Sequence, residues 1–303
     1  MEKRRIGSLE VSVVGLGCNN FGWRIDAKAT AAVVDAALDA GINFLDTADI
    51  YGGGQSEEFL GQALGNRRAR IVLATKFGMK FDEQRQGAKP AYIRQAVEDS
   101  LRRLRTDHID LYQLHQPDPS TPIADTLGAL NELVKAGKVR EIGCSNFSAA
   151  QIREAESAAG SGARFVSVQN HYNMLFREPE AEVLPECVRA GLGFIPYFPL
   201  ANGLLSGKYR RGQALPPGSR GSDGFGPKLF TEENLAKAES LADFASSHGH
   251  TLLELAMSWL ASKPAVASVI AGAKTPEQAR TNALAANWRL TADEMKEIEQ
   301  VPR

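Results

Sequence analysis

The chain has little cysteine and almost no excess of charge. Its three cysteines, Cys18, Cys144 and Cys187, are too few and too scattered for a disulfide framework or a zinc site of repeated pairs. This predicts reduced thiols and no metal. With 35 basic and 36 acidic side chains the formal net charge is −1, so no global field attracts nucleic acid or anionic lipid. We expect a small-molecule partner.

Long apolar runs are also missing. Charged residues 2–5 follow Met1 at once, without the apolar segment of a signal peptide, and later apolar stretches are short. We therefore expect a cytoplasmic protein that does not span a membrane. The segment His248-Gly249-His250 suggests a metal site at first, but a helix that ends at glycine explains it more simply.

Short β-branched runs alternate with longer helical patterns along the chain, which indicates βα units. Eight strands close a filled barrel, so the sequence predicts an α/β fold, a (β/α)8 TIM barrel forming one domain over 1–303. A β-hairpin formed by residues 4–6 and 10–12 precedes the barrel. An extra C-terminal helix, 291–300, begins with Thr291 as N-cap and Glu294 in a capping box. The strands are predicted at 13–16, 43–45, 71–75, 109–114, 139–144, 166–168, 194–196 and 266–270. The helices are predicted at 29–40, 56–64, 91–104, 123–136, 149–159, 180–190 and 252–262.

Two kinds of segment stand out against this pattern. Residues 200–230 are rich in Gly, Pro, Ser and basic side chains and are too long for a bare connection, so we expect a mobile functional loop. The other segments are the strand ends, because the active sites of such barrels lie where the βα loops meet at the C-terminal face. The residues there are Asp46, Lys76, His115, Ser145, Asn146, Gln169, Tyr197 and Gly272.

The order of these motifs is similar to that of a known superfamily. Residues 41–52, followed by Thr75-Lys76, Leu114-His115, 143–146 and Val168-Gln169, resemble the motifs of the aldo-keto reductases over about 4–282. Residues 206–209 are similar to a turn in bacterial reductases and in potassium-channel β subunits. The resemblance implies a catalytic tetrad of Asp46, Tyr51, Lys76 and His115.

Elementary chemistry supports this tetrad. A phenol near pKa 10 is a poor acid at neutral pH, so Tyr51 needs a cation, which Lys76 supplies. Asp46 would keep Lys76 charged, and His115 would donate a hydrogen bond to a substrate carbonyl. Each of the four residues alone has an ordinary structural alternative. Asp46 could cap a helical turn, and Lys76 could be a solvated charge at the rim. Tyr51 could belong to an ordinary loop, and His115 could be a structural histidine. The catalytic interpretation is favoured because all four lie at one rim.

The cofactor site differs from a Rossmann site, since Gly15-Leu16-Gly17 is an isolated pair. The resemblance implies a dinucleotide extended across the barrel mouth, with a nicotinamide carboxamide at Ser145, Asn146 and Gln169, and Tyr197 stacked on the ring. Arg220 and Lys274 are candidates for a 2′-phosphate, which favours NADP(H). Several members carry an arginine near Gln278 and a glutamate at Thr281, and this chain has neither. The remaining cofactor contacts are predicted at Leu200, Gly203, Ser206, Lys208, Gly272, Gln278 and Asn282.

These features favour reduction of aldehydes or activated ketones with NADPH. A sugar or alcohol dehydrogenase using NAD(P) is an alternative, because the same tetrad works in both directions. A cofactor-sensing regulatory subunit is a further alternative, disfavoured because the chain begins directly at the hairpin. Asn20, Trp23 and Phe77 are predicted to line the substrate pocket, and a monomer is the default oligomeric state.

Overall fold

A computed structural model describes residues 1–216 and 229–300 of the chain. Within these residues the strands are β1 Lys3–Ile6, β2 Leu9–Ser12, β3 Val14–Gly17, β4 Phe44–Asp46, β5 Val72–Phe77, β6 Ile109–Leu114, β7 Val139–Ser145, β8 Phe165–His171, β9 Gly193–Tyr197 and β10 Val269–Gly272. The helices are α1 Ala27–Asp39, α2 Gln55–Leu64, α3 Pro90–Leu104, α4 Ile123–Lys135, α5 Ala149–Ala159, α6 Val183–Ala190, α7 Glu232–Ser247, α8 Leu252–Ala261, α9 Pro276–Leu284 and α10 Ala292–Gln300.

Strands β3 to β10 form one parallel sheet in the order β10-β3-β4-β5-β6-β7-β8-β9. The two edges meet where Phe194 pairs with Val266, and there the Ala267 N–H donates to the Phe194 carbonyl at 2.9 Å. The sheet is therefore a nearly closed barrel, which confirms the predicted TIM-barrel architecture.

The antiparallel hairpin β1–β2 closes the N-terminal end of this barrel. Ile6, Leu9 and Val11 are buried and pack in one cluster with Phe44 and Leu111 of the barrel strands. Because the bottom is filled with apolar side chains, the C-terminal mouth is the end at which the barrel opens.

Side chains alternate along each strand between the barrel interior and the surrounding helices. Lys76 pairs in register with Gln113, and Gln113 pairs with Gly143, so these three positions lie in one layer of the barrel. A Cβ atom at Gly143 would lie only 2.3 Å from Ser167 Oγ and 3.3 Å from Gln113 Cγ. Glycine at 143 thus makes room for two polar side chains inside the barrel.

The C-terminal helix α10 forms as predicted. Glu294 N donates to Thr291 Oγ1 at 3.2 Å, and Thr291 N donates to Glu294 Oε2 at 2.6 Å, which is the reciprocal bonding of a capping box. Ile298 is buried, so the helix packs against the rest of the chain. Among the described helices, none combines the length and apolar character that crossing a bilayer requires.

Some predicted boundaries were wrong. The ladder of the last strand begins at Val269 and not at 266, because Val266 pairs only with Phe194. Helix α6 begins at Val183, after a separate short turn over Glu178–Glu180. Helix α7 was predicted only at its end near His248. Residues 217–228, which include Arg220 and part of the predicted functional loop, lie outside the described residues.

Candidate active site

A cavity of about 660 Å³ opens at the C-terminal mouth of the barrel, where the sequence predicted the reactive groups. It is lined by residues of six barrel strands and of the loops that follow barrel strands. The predicted residues that line it are Asn20, Asp46, Tyr51, His115, Ser145, Asn146, Gln169, Tyr197, Leu200, Gly203, Ser206, Lys208, Gly272, Lys274, Gln278 and Asn282.

Lys76 lies below this cavity and is fully buried. Its Nζ atom donates to Asp46 Oδ2 at 2.5 Å and to the Thr47 carbonyl at 2.8 Å. Burial opposes the charge, but Asp46 and Tyr51 outweigh it, so the pKa of Lys76 is raised above its usual value. The ammonium group therefore stays charged at neutral pH, held by a carboxylate and a carbonyl.

Tyr51 follows β4 on a tight turn, where Gly52 and Gly53 have φ values of 58° and 65°. A side chain at Gly52 would be strained by this φ and would approach the Phe21 carbonyl within 2.9 Å. The turn places the Tyr51 hydroxyl 3.5 Å from Lys76 Nζ. Burial raises the pKa of Tyr51 although the Lys76 charge lowers it, so the phenol is protonated at neutral pH.

His115 faces Tyr51 across the same corner of the cavity. The two rings are edge-to-face with centroids 5.8 Å apart. Burial, assisted by the Lys76 charge, holds the pKa of His115 well below its usual value, so the imidazole is neutral. The corner thus contains a protonated phenol, a neutral imidazole and one charged lysine beneath them.

Ser145, Asn146 and Tyr197 form a hydrogen-bonded group on the adjacent wall, where Asn146 Nδ2 donates to the His115 carbonyl at 3.0 Å. The Tyr197 hydroxyl donates to Asn146 Oδ1 at 2.9 Å, and Ser145 Oγ donates to the Gln169 carbonyl at 2.7 Å. The Tyr197 ring stacks on His171, with centroids 5.5 Å apart and planes 11° apart. Tyr197 is therefore held in a fixed orientation at the cavity wall.

The Gln169 side chain donates its hydrogen bonds to residues that lie below the cavity wall. Its Nε2 atom donates to Asp46 Oδ1 at 3.0 Å and to Gln113 Oε1 at 3.3 Å. Gln113 Nε2 donates to the same Asp46 oxygen at 3.0 Å. Sequence reasoning missed Gln113 because it lies inside a strand, one layer below the rim.

The loop after β9 supplies one long side of the cavity. Ala201, Asn202 and Gly203 have positive φ values of 46°, 55° and 97°. Ser206 Oγ donates to the Gly203 carbonyl at 2.6 Å, which braces the loop. Lys208 lines the cavity beside Gly203 and places a cation there.

The connection from β10 into α9 forms the far end. Thr275 is the N-cap of α9, and its hydroxyl accepts from the Gln278 N–H at 3.3 Å. The Lys274 N–H donates to Gln278 Oε1 at 2.8 Å, and Asn282 is buried one turn further along. Glu277 also lines this end, which the sequence analysis did not anticipate.

Two residues predicted for the substrate pocket lie elsewhere. Phe77 is fully buried, and its ring stacks on Tyr112 with centroids 4.7 Å apart. Since Lys76 points into the barrel, its neighbour in the strand must point out toward the helices. Trp23 is 55% exposed, with the Arg24 guanidinium 4.3 Å from its ring, and is not part of the described cavity wall.

Several residues that sequence reasoning did not select lie at or near the cavity. Met79, Gln116, Phe198 and Leu253 are on its wall. Met79, Gln116 and Phe198 were missed because they follow strand ends on loops whose course the sequence does not give, and Leu253 was missed because it lies in the first turn of α8. The buried carboxyl of Asp49 lies close to the site, and its own N–H donates to the Lys76 carbonyl at 3.0 Å.

The barrel and this group of residues define an enzyme of the TIM-barrel class with a buried lysine–carboxylate pair beneath a tyrosine. Comparison with known proteins identifies the family: the profile of the Aldo/keto reductase family matches residues 13–303, and the chain belongs to that family. Membership assigns it to the oxidoreductases that use nicotinamide cofactors.

The similar proteins have names that describe different functions. The chain is 36% identical to an uncharacterised oxidoreductase of Bacillus subtilis, covering 99% of this chain and 96% of the relative. It is also 36% identical to a probable voltage-gated potassium channel subunit beta of Arabidopsis thaliana, with the same coverage.

Solved structures agree with the fold. A glycerol dehydrogenase of Gluconobacter oxydans is similar with a TM-score of 0.85 and 32% identity, over 99% of this chain and 94% of that one. An aldo-keto reductase of Bacillus halodurans in its holo form is similar with a TM-score of 0.84 and 34% identity, over 100% and 97%.

Proposed function

We propose that the chain is an NADP(H)-dependent oxidoreductase that reduces aldehydes or ketones to alcohols, with Tyr51 as the general acid. The observation that carries this proposal is the position of the Tyr51 hydroxyl, 3.5 Å from Lys76 Nζ and beside the His115 ring. The directions of their pKa shifts leave Tyr51 protonated, Lys76 charged and His115 neutral at neutral pH. These are the charge states that protonation of a carbonyl oxygen requires.

The residues divide the work in the following way. A bound NADPH would supply the hydride that the carbonyl carbon accepts. Tyr51 transfers its phenolic proton to the carbonyl oxygen, and Lys76 stabilises the phenolate that this leaves. His115, neutral because burial lowers its pKa, donates an N–H to the same oxygen. Asp46 keeps Lys76 charged, and a proton from water restores Tyr51.

The cavity has the groups that a nicotinamide dinucleotide needs. Tyr197 offers a ring held by stacking on His171 and by its bond to Asn146. The N-terminus of α9 carries the partial positive charge of the helix dipole, which suits a phosphate. Lys208 adds a cation along the side of the cavity. We assign the ring to the Tyr197 end and the adenosine to the Gln278 and Asn282 end.

The preference for NADP(H) over NAD(H) depends on charge at α9. Lys274 lines the cavity there and favours an extra phosphate. Glu277 lines the same end and opposes it, although Arg280 lies 3.9 Å from its carboxylate and offsets part of that charge. Arg220, the second candidate from the sequence, lies outside the described residues.

Initial rates with a panel of aldehydes, ketones, sugars and polyols, each with NADPH and NADH, test this proposal. We expect turnover of at least one carbonyl substrate, with a higher kcat/KM for NADPH than for NADH. Absence of turnover with every substrate and both cofactors would overturn it.

Oxidation of an alcohol is the second candidate, because the same side chains run the reaction in both directions. The similarity to a glycerol dehydrogenase is the observation that favours it. In that direction Tyr51 must first lose its proton, which burial disfavours at neutral pH. Polyols in the panel, assayed with NADP+ and NAD+ across pH, separate the two directions. A regulatory role like that of the channel β subunits would instead give cofactor binding without turnover.

A further inference from the structure

The turn over residues 49–54, which carries Tyr51, contacts helix α3 at both of its ends. At its start, the Tyr92 hydroxyl of α3 donates to Asp49 Oδ2 at 3.2 Å. At its end, a Cβ atom at Gly54 would lie 3.1 Å from Cδ of Arg103, which belongs to the same helix. The position of Tyr51 therefore depends on how this turn packs against α3.

The turn is also joined to β5, the strand that carries Lys76. The Asp49 N–H donates to the Lys76 carbonyl at 3.0 Å. Thr75, the preceding residue of β5, points to the outside of the barrel, where its hydroxyl donates to Glu57 Oε1 at 2.6 Å. Glu57 in turn accepts from Arg103 Nε at 2.7 Å. Asp49 and Glu57 thus hold the turn and the strand from outside the barrel.

Among the described residues, these two buried carboxyl groups have one cation bonded to them. Arg103 pairs with Glu57, whereas Asp49 Oδ1 has no partner in that part of the chain. The titratable and charged groups that face Asp49 are Glu57 of α2, Tyr92 and Arg103 of α3, and Tyr112 of β6. Burial and the Glu57 charge raise the pKa of Asp49 to about 7, although Tyr92 and Arg103 lower it. An ionised Asp49 would be a second buried negative charge without a cation of its own, so the arrangement is complete when Asp49 carries a proton.

We propose that Asp49 is a positioning residue, and that a proton on its carboxyl group holds Tyr51 where it reaches the substrate. The inference rests on the proposed function, since it assumes that Tyr51 gives its proton to a carbonyl oxygen. Asp49 exchanges its own proton with solvent and not with the substrate. When that proton is lost, the new charge faces the Glu57 carboxylate, and the turn moves away from α3 so that water reaches the charge. The Tyr51 hydroxyl is then displaced, and reduction slows.

The pH dependence of carbonyl reduction tests this proposal with the full chain, in single turnovers of an aldehyde with NADPH. We expect the wild-type rate to fall about tenfold between pH 6 and pH 8, because Asp49 ionises in this range. Ionisation of Tyr51 would not cause this fall, since burial raises its pKa above an ordinary value that is already near 10. The variant Asp49→Asn has no proton to lose at this position, so its rate should change by less than about twofold over the same range.

The variant Tyr92→Phe gives a graded form of the same test. The Tyr92 hydroxyl stabilises the ionised form of Asp49, so its removal should move the fall in rate to higher pH. The exposed Asp39 gives the matched control Asp39→Asn, which should keep the wild-type profile. A wild-type rate that is flat between pH 6 and pH 8 would overturn the proposal whether or not Asp49→Asn folds. So would a fall in rate that persists unchanged in Asp49→Asn.

Hydrogen–deuterium exchange over residues 47–56 measures the turn without substrate or cofactor. The ratio of the wild-type exchange rate to that of Asp49→Asn, taken at each pH, removes the intrinsic effect of pH on exchange. We expect this ratio to rise several-fold from pH 6 to pH 8, because the ionised turn opens more often. A constant ratio would overturn the inference. Absence of turnover at every pH would instead overturn the proposed function, while the exchange ratio would still decide whether Asp49 positions the turn.

Discussion

The Lys76–Asp46 pair places a charge where water does not reach, and this single feature organises the chemistry of the site. Separating a buried pair by removing one partner is costly, because the other charge remains without compensation. Here Asp46 also accepts hydrogen bonds from Gln113 and Gln169, and Lys76 donates to the Thr47 carbonyl. The pair therefore stays ionised, and its positive end lies against Tyr51.

The variant Lys76→Met should reduce carbonyl reduction about a hundredfold or more, because the phenolate left on Tyr51 loses its cation. Burial raises the pKa of Tyr51 and Lys76 partly offsets it, so removing the lysine should raise that pKa further. Alcohol oxidation should consequently shift to higher pH, as seen in a pH–rate profile. Lys76→Arg keeps a cation and should shift the profile less. An unshifted profile in Lys76→Met would contradict the role of Lys76.

The buried carboxyl of Asp49 leads to a second prediction, which concerns the pH dependence of stability. Burial and the nearby Glu57 raise the pKa of Asp49 to about 7, although Tyr92, which donates to it at 3.2 Å, and Arg103 lower it. Because the folded pKa lies above the unfolded value, this group stabilises the fold at low pH. That contribution is lost as the pH rises from about 4 to about 7.

Between pH 5 and pH 8, the free energy of unfolding of the wild type should therefore fall by roughly 2–4 kcal/mol more than that of Asp49→Asn. Urea unfolding at several pH values measures this difference. The exposed Asp39, at the end of α1, gives the matched control Asp39→Asn, which should show little change with pH. A pH-independent effect of Asp49→Asn would contradict the interpretation.

The sequence singled out residues at strand ends, which the structure places together at one cavity, and did not single out those that lie below them. Asp46 and His115 were found because polar side chains directly after buried strands are conspicuous. Gln113 was not found, because the sequence alone does not show whether a polar residue inside a strand points into the barrel or outward. Phe77 was assigned to the pocket because it follows Lys76 directly. That assignment did not take into account that neighbouring residues of a strand point to opposite faces of the sheet.

Among the elements around the cavity, we propose that the N-terminus of α9 decides the preference between NADP(H) and NAD(H). If Lys274 and Arg220 hold the 2′-phosphate, replacing both by Ala should weaken NADPH binding about tenfold or more and leave NADH binding nearly unchanged. Added salt should reduce the effect, because this end of the cavity is partly exposed. Fluorescence titration with both reduced cofactors measures it.

The same helix provides the control for this pair. Arg280 belongs to α9 and lies 3.9 Å from Glu277, but it is not part of the described cavity wall. Arg280→Ala removes one positive charge of α9 without the proposed phosphate contact and leaves Glu277 uncompensated, so we expect it to weaken NADPH binding less than the double variant does. A loss in the double variant that is equal for NADH and NADPH would mean that the two side chains support the loop and do not hold a phosphate.

Regular elements were predicted where their patterns are strong. The eight barrel strands follow from short apolar runs before helices, and α10 follows from its capping box. Helix α7 was missed over most of its length, because its buried face includes small residues, Ala238 and Ala245, that give a weak apolar signal. Its N-cap, Thr231, also follows a sequence rich in Gly and Pro, which carries no helical period.

For the whole molecule, contacts join the two ends of the chain to the barrel. Arg289 Nη2 donates to Glu2 Oε2 at 2.5 Å, and Arg177 bridges to Glu299 of α10 at 2.7 Å. We propose that the chain is one cooperative domain. Thermal unfolding followed by far-ultraviolet circular dichroism and by tryptophan fluorescence should give the same midpoint. Two separated transitions would contradict a single domain.

We propose that Tyr51 delivers the proton during hydride transfer in this cavity, and Tyr51→Phe tests this role most directly. The variant keeps the ring and removes only the acid, so the single-turnover rate of carbonyl reduction by NADPH should fall about a hundredfold or more. Its Kd for NADPH should stay within about twofold of wild type by fluorescence titration. A variant that binds NADPH normally and retains half of the wild-type single-turnover rate would contradict the account.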